Sequence, residues 1–111
     1  MFEEPSTIPT YLWVDAKLRA LSAQGIGVYV AHRGEKMGGL ILLKLANMSG
    51  QCKLLTQQRD IDGVLGWQNA FQEMLVDESR ADEYSVRAIN RDPDLWVIEI
   101  EDKTMNNPFV D

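Results

Sequence analysis

Apolar residues recur at two different periods along this chain, and the places where the period changes mark its elements. Tyr11, Val14, Leu18 and Leu21 are spaced three or four apart, which predicts an amphipathic helix with one face on a core. Thr10 stands where a cap is expected, Lys17, Arg19 and Gln24 take the wetter side, and Gly25 is placed to stop the helix in a left-handed conformation. From Ile26 the period drops to two: Ile26, Val28 and Val30 face one way, Gly27, Tyr29 and Ala31 the other. Arg33 to Gly39 is a glycine-rich hairpin turn. Leu40 to Leu45 is apolar on both faces apart from Lys44, the mark of a central strand covered on both sides. Met48 to Gln51 turns the chain again, and Cys52 to Gln57 makes a third strand.

The stretch from 58 to 76 is ambiguous. Val64, Trp67, Ala70, Phe71, Met74 and Leu75 fit helical spacing, while Leu65, Trp67 and Phe71 fit one face of a strand. Periodicity alone favours the helix by a small margin. Ser79 followed by Asp82 resembles a capping box, and Ala81, Tyr84, Ser85, Ala88 and Ile89 form one face of a second helix that Pro93 ends. The last strand runs from Leu95 to Glu101, with Trp96, Ile98 and Ile100 on one face and Leu95, Val97, Glu99 and Glu101 on the other. Short turns between successive strands imply antiparallel pairing. The expected architecture is α+β: a single antiparallel sheet, a meander of three or four strands plus the C-terminal strand, with two packed helices in the order α-β-β-β-(β)-α-β. Residues 1–9 are expected to be an arm, 10–103 a single domain and 104–111 a loose tail.

At 111 residues the chain has room for one core, and its 45% hydrophobic and 25% charged residues are ordinary for a globular domain. A formal net charge of −6 argues against non-specific attraction to nucleic acid or anionic membrane. The single cysteine, Cys52, excludes an internal disulfide and suits a reducing compartment. The acidic start, Met1-Phe2-Glu3-Glu4-Pro5, has none of the features of a signal peptide, so a cytoplasmic location is expected.

Trp13-Val14 opening an early helix, Arg33-Gly34 in a hairpin, Gly39 before an apolar strand and the run from Asp92 through Asp94-Leu95-Trp96 to Glu101-Asp102 resemble a small, chiefly alphaproteobacterial group, domain of unknown function 1491. The resemblance covers roughly residues 10 to 103. It implies a single-domain boundary and a short fourth strand over Leu65 to Phe71. It implies no reaction, cofactor or partner.

Chemistry has few footholds. Pro93-Asp94 followed by Glu101-Asp102-Lys103 imitates a metal-nuclease signature. However, Asp94 and Glu101 would lie roughly 23 Å apart along one strand and on opposite faces, whereas a shared Mg²⁺ needs ligands at about 2.1 Å. Glu99 and Glu101 share a face about 7 Å apart and, with Asp102, are the candidate metal ligands; the plainer reading pairs them with Lys44 or Lys53 across strands. The single histidine, His32, could serve Cys52 as a base across adjacent strands, but Cys52 reads better as a small buried apolar residue. Gly25-Ile26-Gly27 leads into a strand where a dinucleotide loop needs a helix, and Gly34 to Gly39 lacks a phosphate-loop ending. No catalytic or cofactor-binding residue is assigned, and no cofactor is expected. Trp13 lies off the core stripe; with Ala16, Ala20 and Ala23 it defines a second helical face that suits a partner or an identical subunit. The favoured reading is a non-catalytic protein-binding or adaptor module acting through Trp13, the Arg33 hairpin or the Glu99/Glu101 face. The alternative is a small metal-binding or hydrolase-like protein using Glu99, Glu101 and Asp102.

Overall fold

The element order follows from the two periods. The computed structural model describes residues 8–110. It runs α1 (Thr10–Ala23), β1 (Gly27–His32), β2 (Ile41–Ala46), β3 (Gln51–Arg59), β4 (Leu65–Asn69), β5 (Val76–Asp77), α2 (Glu78–Arg91) and β6 (Trp96–Glu101). All six strands join one sheet in the order β1-β6-β2-β3-β4, with β5 beside β3. This is the expected α+β class. The two helices lie on opposite faces. Ile41, Leu43 and Leu45 of β2 join Trp96, Ile98 and Ile100 of β6 beneath Val14 and the rest of the α1 stripe. Leu42, Ala46, Cys52, Leu54 and Val97 pack on the other face under Ala81 and Ala88 of α2. Every residue of β2 is buried, as its doubly apolar pattern predicts.

The sheet departs from an antiparallel meander at one place. β2, β3 and β4 form successive antiparallel pairs, but β6 inserts between β1 and β2 and runs parallel to β2. Arg33 to Gly39 is therefore no hairpin; it carries the chain across the start of β6. Glu35 N donates to Asp94 O at 2.9 Å, Trp96 Nε1 donates to Glu35 O at 2.8 Å, and Trp96 N donates to Leu40 O at 2.8 Å. Glycine is needed at both ends of the crossing, because a Cβ on Gly34 or on Gly39 would run into the Asp94 carbonyl.

The crossing also replaces the expected cap of α1. Thr10 sits inside the first turn and donates to Gly39 O at 3.2 Å, Tyr11 N donates to Lys36 O at 2.9 Å, and Pro9 takes the cap position. At the other end Gly25, at φ +83°, closes the helix as its position predicts, with Ile26 N donating to Leu21 O.

Residues 64–76 are not helical. Asp60 accepts from the amides of Asp62 and Val64, both at 2.9 Å, and turns the chain back so that β4 pairs with β3. β4 ends at Asn69, short of the expected Phe71, and β5 continues the same edge farther along β3. Val64, Met74 and Leu75, which supported helical spacing, are exposed. The capping box is not used either: α2 begins at Glu78, and Asp82 reaches across to Lys44. Residues 104–110 form neither helix nor strand, yet Phe109 is buried against the α1 side of the core.

Candidate functional site

The carboxylates of β6 are each engaged within the fold. Register places Glu99 directly opposite Lys44, and Lys44 Nζ lies 3.2 Å from Glu99, 2.9 Å from Glu78 and 3.0 Å from Asp82. This is the cross-strand pairing expected of Lys44, joined by two carboxylates from α2. Burial disfavours the ammonium, but the three carboxylates outweigh it and hold Lys44 above the ordinary lysine range. Glu101 turns the other way, toward β1, where it accepts from the Tyr29 hydroxyl at 3.3 Å; its charge raises the Tyr29 pKa. Asp102 closes the next turn by accepting from Thr104 Oγ1 at 2.7 Å and Thr104 N at 3.2 Å. Among the described residues no group of three or more His, Cys, Asp or Glu is placed to hold a metal ion.

His32 and Cys52 are not brought together. His32 pairs with Val97 near the start of β6, whereas Cys52 pairs with Ala46 at the far end of β2. Three strand spacings and several residues of rise separate them, roughly 19 Å. His32 Nδ1 lies 2.7 Å from the Leu95 carbonyl, a bond in which the ring nitrogen donates. Cys52 is fully buried, and burial pushes its thiol up to about 11 against the opposing charge of Lys44. A thiol so placed is a packing residue, not a nucleophile. Arg33 is exposed and lies 5.3 Å from the centre of the Trp96 ring.

The structure assembles a different site around Trp13. The α1 helix contacts β1 and leaves the β3–β4 half of the same sheet face without a helix. A groove of about 500 Å³ opens there, with Trp13 and Lys17 on one wall, Gln57 and Arg59 of β3, Trp67 of β4, and Phe109 at one end. Phe109 meets Trp13 edge-on at 5.0 Å and Trp67 at 6.0 Å, so three aromatic rings from distant parts of the chain form one surface. Gln57 is buried and spends its oxygen on the Ile41 amide at 3.1 Å. Ile8, Met37 and Val64 line the rim and stay about half or more exposed, at 48, 61 and 61%. A volume of this order falls within the range of ligand sites, and the exposed apolar rim marks a contact surface. Of the sequence-expected surfaces, Trp13 and the Met37–Gly39 end of the Arg33–Gly39 turn belong to this groove; Arg33, Glu99 and Glu101 do not, and Ala16, Ala20 and Ala23 are exposed outside it. Arg59, Trp67 and Phe109 were missed; the surplus of aromatics was the one signal, and it could not say which rings meet.

The protein-family pattern described as a protein of unknown function, DUF1491, matches residues 8–110. The chain belongs to the DUF1491 family. Solved structures agree with the membership. The chain is 31% identical to a DUF1491 family protein from Caulobacter crescentus in its crystal structure, over 93% of this chain and 94% of that one, with a TM-score of 0.79. An NMR structure of a DUF1491 family protein from the same organism gives 29% identity over 95% and 94%, with a TM-score of 0.81. The solution structure of an A. tumefaciens protein shares the fold, at 20% identity over 86% of both chains and a TM-score of 0.70. No curated protein matches. The family match thus extends across nearly the whole domain, through position 109.

Proposed function

We propose that the protein is a cytoplasmic, non-catalytic binding module that engages a protein partner through the groove between α1 and the β3–β4 hairpin. The observation that carries this reading is the aromatic surface of Trp13, Trp67 and Phe109 opening onto an exposed apolar rim. Large rings that pack against one another are the residues that anchor interfaces, and a rim of exposed apolar side chains is what a partner would cover. No helix among the described residues is long and apolar enough to cross a membrane, and the net charge of −6 supports neither nucleic acid nor anionic lipid as the partner. The alternative, metal-dependent or hydrolytic chemistry at Glu99, Glu101 and Asp102, draws no support from the geometry, because Lys44, Tyr29 and Thr104 already occupy those carboxylates.

Site-specific photo-crosslinking in cells of the source organism tests the proposal. A photoreactive residue at Val64, on the groove rim, should give a discrete adduct that Trp67→Ala abolishes. The same group at Val86, exposed on α2, should give none. An adduct with a second copy of the chain would identify self-association as the use of the groove. Equal adducts at both positions, or none at Val64, would refute it.

A further inference from the structure

We infer that the segment read by this groove is an extended acidic peptide carrying one aromatic residue, which adds to the sheet at the outer edge of β4. The inference rests on the binding-module reading and supplies its chemistry. Three independent features point to it.

The first is the edge. β4 ends the sheet, and among the described residues no strand pairs with its outer side. Its sequence, Leu65-Gly66-Trp67-Gln68-Asn69, contains neither a charge nor a proline, the devices that normally keep an edge from pairing. The second is Gly66. It is exposed, and nothing lies within 4 Å of the position its Cβ would take, so β4 offers bare backbone beside Trp67 to an approaching chain. β1, the other edge, is packed against α1 on that face. Strand addition supplies backbone hydrogen bonds, and alternate side chains of the added strand turn to the α1 face, where Leu65 and Trp67 border the groove. An aromatic side chain at one of those positions would pack on the open side of the Trp67 ring and extend the aromatic surface that Phe109 and Trp13 continue.

The third feature is charge. Lys17 from α1 and Arg59 from β3 both line the groove, and neither makes an ion pair among the described residues. Arg59, among the described residues, donates only to the Gly63 carbonyl, at 2.8 Å. Among the described residues Asp62 is the one acidic lining residue, so Lys17 and Arg59 outweigh it and that lining has the sign opposite to the chain's net charge. That local reversal selects carboxylates beside the aromatic anchor.

A random heptapeptide library displayed on phage, selected against the full-length protein, tests the inference. Enriched sequences should carry an aromatic residue flanked by Asp or Glu. The synthetic peptide should shift the indole N–H resonances of Trp13 and Trp67. Lys17→Glu and Arg59→Gln, with thermal midpoints unchanged, should each weaken binding by about tenfold. N-methylation of the peptide should abolish binding at every second backbone position and be tolerated at the others, the signature of strand pairing. Enrichment of neutral or basic sequences that still shift both indoles would overturn the acidic-strand inference and leave the groove reading standing. Tolerance of N-methylation at every position would overturn strand addition. If no enriched peptide perturbs either indole, the inference and the binding-module reading fall together.

Discussion

Lys44→Met keeps most of the buried stem and deletes the ammonium that holds α2 to the sheet. Three carboxylates surround that ammonium at 2.9–3.2 Å, and the lysine side chain is only 6% exposed. At an effective dielectric of about 20, each contact is worth roughly 5 kcal/mol before costs. Most of that is offset by the desolvation of Lys44 and by repulsion among Glu78, Asp82 and Glu99. The carboxylates differ in burial: Asp82 is 63% exposed and contributes on the scale of a surface pair, while Glu78 at 34% and Glu99 at 25% contribute more. Removing the shared cation leaves three unneutralised carboxylates on one helix–sheet seam. The expected loss is about 3 kcal/mol, the lower end for breaking a buried pair, because two of the partners can rehydrate. In a domain of this size that lowers the melting temperature by roughly 12–24 °C. Urea denaturation of Lys44→Met, Glu99→Gln and the double variant completes a cycle. The coupling should exceed about 1 kcal/mol, and the double variant should recover part of the loss. A Lys44→Met protein as stable as the parent would refute the claim that the cation docks α2.

Other consequences are equally open to measurement. Cys52 adds an alkaline limit. Its thiol is held at about 11 in the folded protein against an ordinary 9.0, so above pH 9 the unfolded chain releases the proton first and stability falls. The loss is about 1.4 kcal/mol by pH 10, so the stability gap between the parent and Cys52→Ala should close by that amount between pH 8 and pH 10; a constant gap would contradict the burial argument. Lys44, whose pKa is raised, acts in the same direction: its contribution is complete below its ordinary 10.5 and is lost as the pH rises above that value. Gly34→Ala should cost about 2–3 kcal/mol because its Cβ meets the Asp94 carbonyl, whereas Gly38→Ala, with nothing within 4 Å, should change stability by less than about 0.5 kcal/mol in the same thermal melt. Phe109→Ala should cost about 3 kcal/mol and shift tryptophan emission to the red, because Trp13 and Trp67 both lose a ring neighbour; unchanged emission would exclude the seating of Phe109.

What could be read from the sequence depended on the range of the interaction. The α1 stripe was legible because one helix buries one face, so Tyr11, Val14, Leu18 and Leu21 record their environment locally. Double coverage of β2 was legible for the same reason, and so was Lys44, the lone charge in an apolar strand. The position of β6 was not. A strand that inserts between two others leaves no local period, and the glycines of 34–39 look the same whether they turn a hairpin or cross over a neighbour. Ser79 and Asp82 misled because a short-range capping pattern lost to a longer-range ion pair with Lys44. The groove was hidden most completely, since its rings come from α1, β4 and the segment after β6, and only folding reveals that they meet.

The residues that carry the family resemblance and those that line the groove are largely different sets. Arg33-Gly34, Gly39 and Asp92 to Trp96 converge at the crossing, where Gly34 and Gly39 clear the Asp94 carbonyl and the Trp96 indole donates to Glu35. Their main work is building the mixed sheet: the glycines clear the carbonyl and the indole bonds the backbone. Trp13 and Gly39 belong to both sets, since each also lines the groove. A recognisable motif in this fold is therefore a statement about topology. Lys17, Arg59 and Gly66 have the opposite character. Among the described residues Arg59 makes only a turn bond, Lys17 makes no ion pair, and Gly66 touches nothing its Cβ would need to avoid, so the described fold places few demands on their identities. Residues that the fold leaves unconstrained, gathered around one apolar groove, are where a binding preference can be written without cost to stability.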